Sequence, residues 1–366
     1  MDPRVRKMAE VLVGYSIGVE PGQSVAIESP LQGEPLAVEC VRAVLAAGGF
    51  PWTRFSASSA REVLLREGSD EQLRFISPLS RASVEEADAS IAILAPENTR
   101  TLNTVDPAKI TVNQQAHQPL LEAFMRRSAS GELAWTAAMY PTQAAAQDAG
   151  MSLSEYEDFV YEACLLNEPD PVAAWQALGA KQQRVVDWLS GKTEIHISAP
   201  GTDFRVGIKD RTWLNDDGKK NFPGGEVFTG PIEDSAEGTV SFTFPGFYGG
   251  KEVQGIRLRF EAGKVVDAAA ETNEDFLIQM LDTDAGARRL GELAIGTNQG
   301  VQAFTKNVLF DEKIGGTFHM ALGASYPETG GTNESSIHWD IVCDLRRGGE
   351  IRGDGEILSQ DGRFVP

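Results

Sequence analysis

Cysteine is nearly absent from this chain of 366 residues: Cys40, Cys164 and Cys343 are odd in number and far apart. No CxxC pair occurs, so neither a disulfide framework nor a thiolate metal site is expected. The three read as buried thiols of a reducing compartment. Long apolar runs are missing as well, and no stretch approaches the roughly 20 residues that a membrane span needs. The opening residues carry charge without a long apolar run ending at a small-residue cleavage site. No secretory leader is expected, and a cytoplasmic location is. Basic residues are in the minority, 33 Lys and Arg against 53 Asp and Glu, for a formal net charge of −20. That balance argues against nucleic acid, whose phosphates need clustered cations, and against an anionic membrane surface. Several local signatures are lacking too. No GxGxxG follows a strand, and GxxxxGK[ST], GxSxG and HExxH do not occur, which removes the familiar nucleotide, nucleophile-elbow and zinc-helix readings.

What is present divides at about residue 190. The length exceeds one typical core, so two domains are expected. In residues 1–190, "SVAIES" (24–29), "PWTRF" (51–55), "ASIAILAP" (89–96) and "AWTAAMYP" (134–141) have strand length and alternate with helix-like segments. One of these helices runs from Gly33 to Ala47. Such alternation predicts an α/β domain with a mostly parallel sheet. Asp170–Pro171 starts a further helix whose stripe is Trp175, Leu178, Val185, Trp188 and Leu189, with Gly191 as its stop. In residues 191–366 the texture becomes short alternating segments broken by Gly, Pro, Asn and Asp. This predicts a mostly antiparallel β (α+β) domain with a helix at Asn273 to Leu281.

The residues with chemical promise all fall in the second half. Glu226, in "NFPGGEVFTGP", and Glu292, in "GELAIGTN", are carboxylates inside apolar strand-like runs. An isolated charge there is costly without a partner. In "GGTFHMALGASYP", Phe318, Met320 and Leu322 form one strand face and His319 lies on the other, with Tyr326 seven residues on. In "ESSIHWDIVCDL", Ile337, Trp339, Ile341 and Cys343 form a core stripe, while His338 and Asp340 share the opposite face. Singly, each has a plain structural explanation: a salt-bridged Glu, a hydrogen-bonded core His, a Tyr anchoring a loop. His117 and His196 are left in that class. Together, two glutamates, two histidines, an aspartate and a tyrosine supply mixed N/O ligands of the kind that hold zinc, cobalt or manganese. Six side chains exceed the need of one catalytic ion and suit a two-metal site. Alternatives remain open at this point. Glu226 and Glu292 could be the acid and base of a glycosidase, which leaves both histidines idle. Ser325 lacks a nucleophile context. A non-catalytic, metal-stabilised binding protein would use the same ligands structurally.

The segments "NFPGGEVFTGP", "GELAIGTN", "EKIGGTFHMALGASYPETGG" and "NESSIHWDIVCDL", in this order, resemble the M29 family of metalloaminopeptidases, the aminopeptidase T and S group. The resemblance extends over the whole chain. It implies that Glu226, Glu292, His319, Tyr326, His338 and Asp340 bind two divalent metal ions. It further implies a homodimer acting on peptides with a free N-terminus, and catalytic work by Glu226, Glu292 and Tyr326. Glu312 is a further, lower-ranked proton-transfer candidate. Two departures from the family pattern, Ala294 and Ala324, are expected to touch no ligand. An acidic exterior would draw a cationic α-amine inward.

Overall fold

The computed structural model describes residues 2–365. They form two compact units: residues 2–174 with 218–223, and residues 175–217 with 224–365. The division falls inside the helix Pro171–Leu189, which starts, as its sequence predicts, at the Asp170 cap.

In the first unit, strands β1 (Ser24–Pro30), β2 (Phe50–Ser56), β3 (Ala89–Leu94) and β4 (Ala134–Met139) form a parallel sheet. Their order is β2-β1-β3-β4, completed by the short strand Asn221–Phe222 beside β4. Val25, Ala26 and Ile27 of β1 are all fully buried, the continuous apolar run of a parallel strand covered on both faces. The helix Glu34–Ala46 follows β1, with Leu36, Cys40 and Val44 buried. Serine capping boxes, Ser69 with Gln72 and Ser152 with Glu155, start two further helices of this unit. All three cysteines are buried.

The second unit is built on two antiparallel sheets. One has eight strands, among them Glu194–Ala199, Thr202–Gly207, Arg257–Glu261 and Glu350–Gly353. The other has five: β5 (Leu214–Asp216), β6 (Glu226–Thr229), β7 (Leu290–Gly296), β8 (Thr317–Gly323) and β9 (His338–Asp344), in the order β9-β8-β7-β6-β5. Ile197, Phe204, Phe260 and Ile351 of the first sheet share one core with Val227, Leu293, Phe318, Met320, Trp339 and Ile341 of the second. This is sheet-on-sheet packing, with alternate side chains turned inward. The parallel N-terminal sheet and the antiparallel C-terminal sheets are those predicted from the sequence. Among the described residues, no helix is long and apolar enough to cross a membrane.

Trp339 anchors the inward face of β9. Its ring meets Tyr248 at 5.6 Å and Phe276 at 6.0 Å between centroids. Gly246 lies against it, where a Cβ would come within 2.9 Å of the ring. Trp339→Ala is therefore expected to cost about 3–5 kcal/mol in urea unfolding. A loss below about 1 kcal/mol would show that the ring is not a principal anchor of this core.

Candidate metal centre

The face of the five-stranded sheet opposite Trp339 carries the polar residues. Directly paired residues share a face, so register alone lays them out in rows. One row runs Asp216–Glu226–Gly296, continuing to Thr317 on β8. The next runs Leu214–Phe228–Ala294–His319–Val342. A third runs Glu292–Ala321–Asp340, and His338 pairs with Gly323 beyond it. Between the polar side chains the positions are glycine or alanine: Gly296, Ala294, Ala321 and Gly323. These small residues floor the face and leave the space above it to the long ones. Gly296 has a further reason, since a Cβ there would lie 2.1 Å from the Ile314 carbonyl oxygen.

Five of the six predicted ligands converge on this floor. His319 is fully buried. Its Nε2 is 3.1 Å from Glu226 Oε2 and 3.4 Å from Glu292 Oε1. His338 Nε2 is 3.4 Å from Glu292 Oε2 and 3.5 Å from Asp340 Oδ2. The two oxygens of Glu292 thus face different imidazoles. Single donor atoms of Glu226, Glu312 and His319 lie within 4.8 Å of one another, as do those of Glu292, His319 and Asp340. The sixth residue, Tyr326, stands at the rim and is 39% exposed. Its ring packs edge-on against His338 at 5.0 Å and Phe228 at 5.8 Å.

These groups fit a metal ion better than they fit each other. Glu226 Oε2, Asp340 Oδ1 and both ring nitrogens of His319 are buried without a hydrogen-bond partner, despite their short separations. Buried polar atoms left without hydrogen bonds call for a partner, and an ion can supply it to one nitrogen of His319 and to the carboxylate oxygens. His338 is prepared in another way: its Nδ1 lies 2.8 Å from the Ala324 carbonyl oxygen. A proton on Nδ1 donates to that carbonyl and leaves Nε2 free as a ligand.

The family of this chain follows from comparison with known proteins. Residues 1–364 match the family described as "Thermophilic metalloprotease (M29)". The chain belongs to the M29 family. It is 31% identical to Aminopeptidase 2 of Geobacillus stearothermophilus, over 98% of this chain and 95% of that one. The structure of wild-type AmpT from Thermus thermophilus superposes with a TM-score of 0.86 at 26% identity, covering 100% of this chain and 99% of the other. A 2,5-dihydroxypyridine dioxygenase from Pseudomonas putida KT2440 matches over 100% and 98% of the two chains, with a TM-score of 0.60 at 15% identity. That likeness is one of fold alone.

Electrostatics in the M29 site follow from crowding charges away from water. Burial works against an imidazolium at His338, yet Asp340 and Glu292 outweigh it and push the ring up to about 10. His319 is raised in the same sense by Glu226 and Glu292 against its burial. Glu292 is held down at about 2: burial opposes, and both histidines prevail. Burial lifts Asp340 above the ordinary value, with His338 opposing and Glu292 adding to the rise. Burial also lifts Glu312 well above the carboxylate range; Lys313 opposes this, and Asp340 and Glu226 reinforce it. The imidazolium protons therefore serve as positive charge among the carboxylates, a service that a divalent cation performs more fully.

Sequence reasoning overlooked several contributors. Lys313, fully buried, places its ammonium between Glu226 and Glu312, and Asp216 lies on its third side. Gln182 of the Pro171–Leu189 helix donates through Nε2 to the carbonyls of Asp216 and Glu226, at 3.1 and 2.8 Å. It fixes β5 against β6 where the first row begins. A lysine inside "FDEKIGG" was the one available signal; Asp216 and Gln182 gave none. The expectation for Ala294 and Ala324 is corrected: Ala294 is the register partner of His319, and the Ala324 carbonyl holds His338. Backbone pairing and carbonyl contacts bring both beside candidate ligands, although their methyl side chains supply no donor.

Asp284 secures the entry to β9. Its carboxylate accepts bonds from the Ser335 and Ser336 hydroxyls and from the amides of Ser336, Gly286 and Ala287, at 2.7–3.0 Å. Burial opposes ionisation, but the Ser336 and Ser335 bonds bring the group down to about 2 from an ordinary 3.8. A carboxyl depressed on folding stabilises fully above its unfolded value and ceases to do so as pH falls through its folded one. Asp284→Asn is expected to be less stable than the parent at neutral pH. The gap should close between about pH 4 and about pH 2 in fluorescence-monitored urea unfolding. A gap independent of pH would show that the charge of Asp284 contributes nothing.

Proposed function

We propose that this M29 protein is a metal-dependent aminopeptidase that removes N-terminal residues from peptides with a free α-amine. The observation that carries the reading is the division of Glu292 between two imidazoles, one oxygen toward His319 and the other toward His338. Such a division would suit a carboxylate that serves two ions. Glu226 Oε2 and His319 would hold one and Asp340 and His338 the other, with Glu292 available to both and Glu312 beside the first. Charge is compatible with the count. With bound cations drawing protons from Asp216, Glu226, Glu292, Glu312, Asp340 and both imidazoles, five carboxylates against the one ammonium of Lys313 would leave the charge that two divalent ions supply. The donor set is nitrogen and oxygen without sulfur, which suits zinc, cobalt or manganese.

Bound divalent ions acidify water and polarise a scissile carbonyl. The chain supplies the rest. Glu312, half-buried at the edge of the cluster, would be ionised once bound cations offset the burial that raises it, and could then take a proton from attacking water and return it to the leaving amine. This shifts the proton-shuttle role from Glu226 and Glu292, whose oxygens are turned to Lys313 and the histidines. Partial burial and the nearby Glu292 and Asp340 carboxylates hold the Tyr326 phenol above its ordinary value. It stays protonated at neutral pH, and from the rim it would donate to a developing oxyanion. The acidic groups around the centre favour a cationic α-amine over a blocked terminus. By the same family reading the enzyme is a cytoplasmic homodimer.

The test is p-nitroaniline release from leucyl, arginyl and acetyl-leucyl substrates, after chelation and with zinc, cobalt or manganese restored. Activity should vanish with the metal, return with it and spare the acetylated substrate. No turnover with any ion, in a folded protein that binds metal, would favour the metal-stabilised binding protein instead. Tyr326→Phe should keep its metal and lose about 100-fold in kcat. Full turnover in that variant would remove the phenol from the mechanism.

A further inference from the structure

Lys313 is a buried cation with an unusual set of neighbours. A buried ammonium is costly unless it is paired and fully hydrogen-bonded. Here Nζ lies 2.5 Å from Glu226 Oε1, 2.9 Å from Glu312 Oε2 and 3.5 Å from Asp216 Oδ2. An ammonium has three N–H donors; two of its hydrogen bonds reach Glu226 and Glu312, and Asp216 Oδ2 stands at ion-pair distance on the third side. The backbone fixes its place. The Lys313 amide donates to the Phe310 carbonyl at 2.9 Å, and its own carbonyl accepts from Asn298 N at 3.0 Å. Asn298 in turn donates through Nδ2 to the Gly224 carbonyl, two residues before Glu226. The ammonium is thus held by the turn before β8 and the loop after β7. With no exposed surface and its donors directed at carboxylates, it acts through them rather than on a substrate.

The consequence lies in how oxygens are allotted. Glu292 offers both of its oxygens to the histidine side of the centre. Glu226 commits Oε1 to Lys313, and Oε2, 3.1 Å from His319 Nε2, is the oxygen left over. Glu312 is likewise tethered through Oε2. We propose that Lys313 is a positioning residue that restricts Glu226 to one-oxygen ligation and holds Glu312 beside it. The ion position at Glu226 and His319 then depends on Lys313, whereas the position at His338 and Asp340 does not. This inference rests on the two-ion reading above. It differs from general charge balance, which would weaken both positions together.

The experiment is calorimetric titration of the chelated full-length protein with zinc alone, for wild type, Lys313→Met, Lys313→Gln and, as the complement, His338→Ala. Wild type should take up two equivalents. Both Lys313 variants should retain one at wild-type affinity and lose about 10–100-fold in the other, the usual effect of removing a ligand's supporting partner. His338→Ala should weaken the equivalent that the Lys313 variants keep. Two undisturbed equivalents in either Lys313 variant, or an equal fall in both, overturns the proposal. If wild type binds a single equivalent, the two-ion reading fails separately; the proposal stands if Lys313→Met weakens that equivalent and falls if it does not. Should the variants not fold, anomalous diffraction from zinc-loaded wild type decides. Glu226 bound to Lys313 through Oε1 and to zinc through Oε2 supports the proposal; chelation of zinc by both oxygens overturns it. Absence of peptide hydrolysis bears on the reaction alone, because the zinc titration reads the site without it.

Discussion

Like charges brought together out of water govern the second unit of this protein. Asp216, Glu226, Glu292 and Asp340 stand on one face of the five-stranded sheet, and Glu312 reaches in from the turn before β8. Each loses hydration there, and each repels the others. The fold answers with fixed positive charge. Lys313 faces three of the five, and two imidazoles face Glu226, Glu292 and Asp340. A cluster so short of cations is a strong receiver of divalent ions, because every added positive charge relieves repulsion as well as forming bonds. Affinity and stability are therefore linked through the same groups.

The sheet makes this crowding possible. The strand ladder fixes the backbone positions of Asp216, Glu226, Glu292 and Asp340, so these carboxylates cannot move apart by loop motion. The Trp339 face supplies packing energy, and the Gly and Ala floor supplies room. The same register that buries Phe318, Met320 and Trp339 brings His319, Ala321 and Asp340 to the other side. A slip of one residue would exchange the faces and place polar groups in the core. Core and centre are two results of one alignment.

Much of this was legible in the sequence, and the reason differs from element to element. The alternation in "IHWDIVC" gave the faces of β9 correctly because it is a local, period-two pattern. The parallel and antiparallel textures of the two halves were likewise local. The grouping of Glu226, Glu292, His319 and His338 rested on the co-occurrence of their residue types and was then implied by a resemblance, since no spacing between distant strands encodes which of them pair. Lys313 escaped notice because a single lysine in a turn usually lies in solvent; its burial depends on Glu226, 87 residues earlier in the chain. The expectation that an embedded glutamate would be salt-bridged and the expectation that it would face a metal are both compatible with Glu226, one oxygen for each. Ala294 and Ala324 were undervalued because they act through the backbone and through their small size, which a side-chain inventory does not weigh.

The residues Gly218–Pro223 leave the second unit between β5 and β6 to complete the parallel sheet of the first. Asp216 stands just before this excursion and Glu226 just after it. The two units are therefore interleaved in the chain rather than joined end to end. No single cut in the polypeptide yields either one whole: a fragment starting at Trp175 takes with it the strand that β4 needs, and a fragment ending at Ala174 lacks it. A truncation meant to isolate the second unit would therefore also carry off a strand of the first unit's sheet.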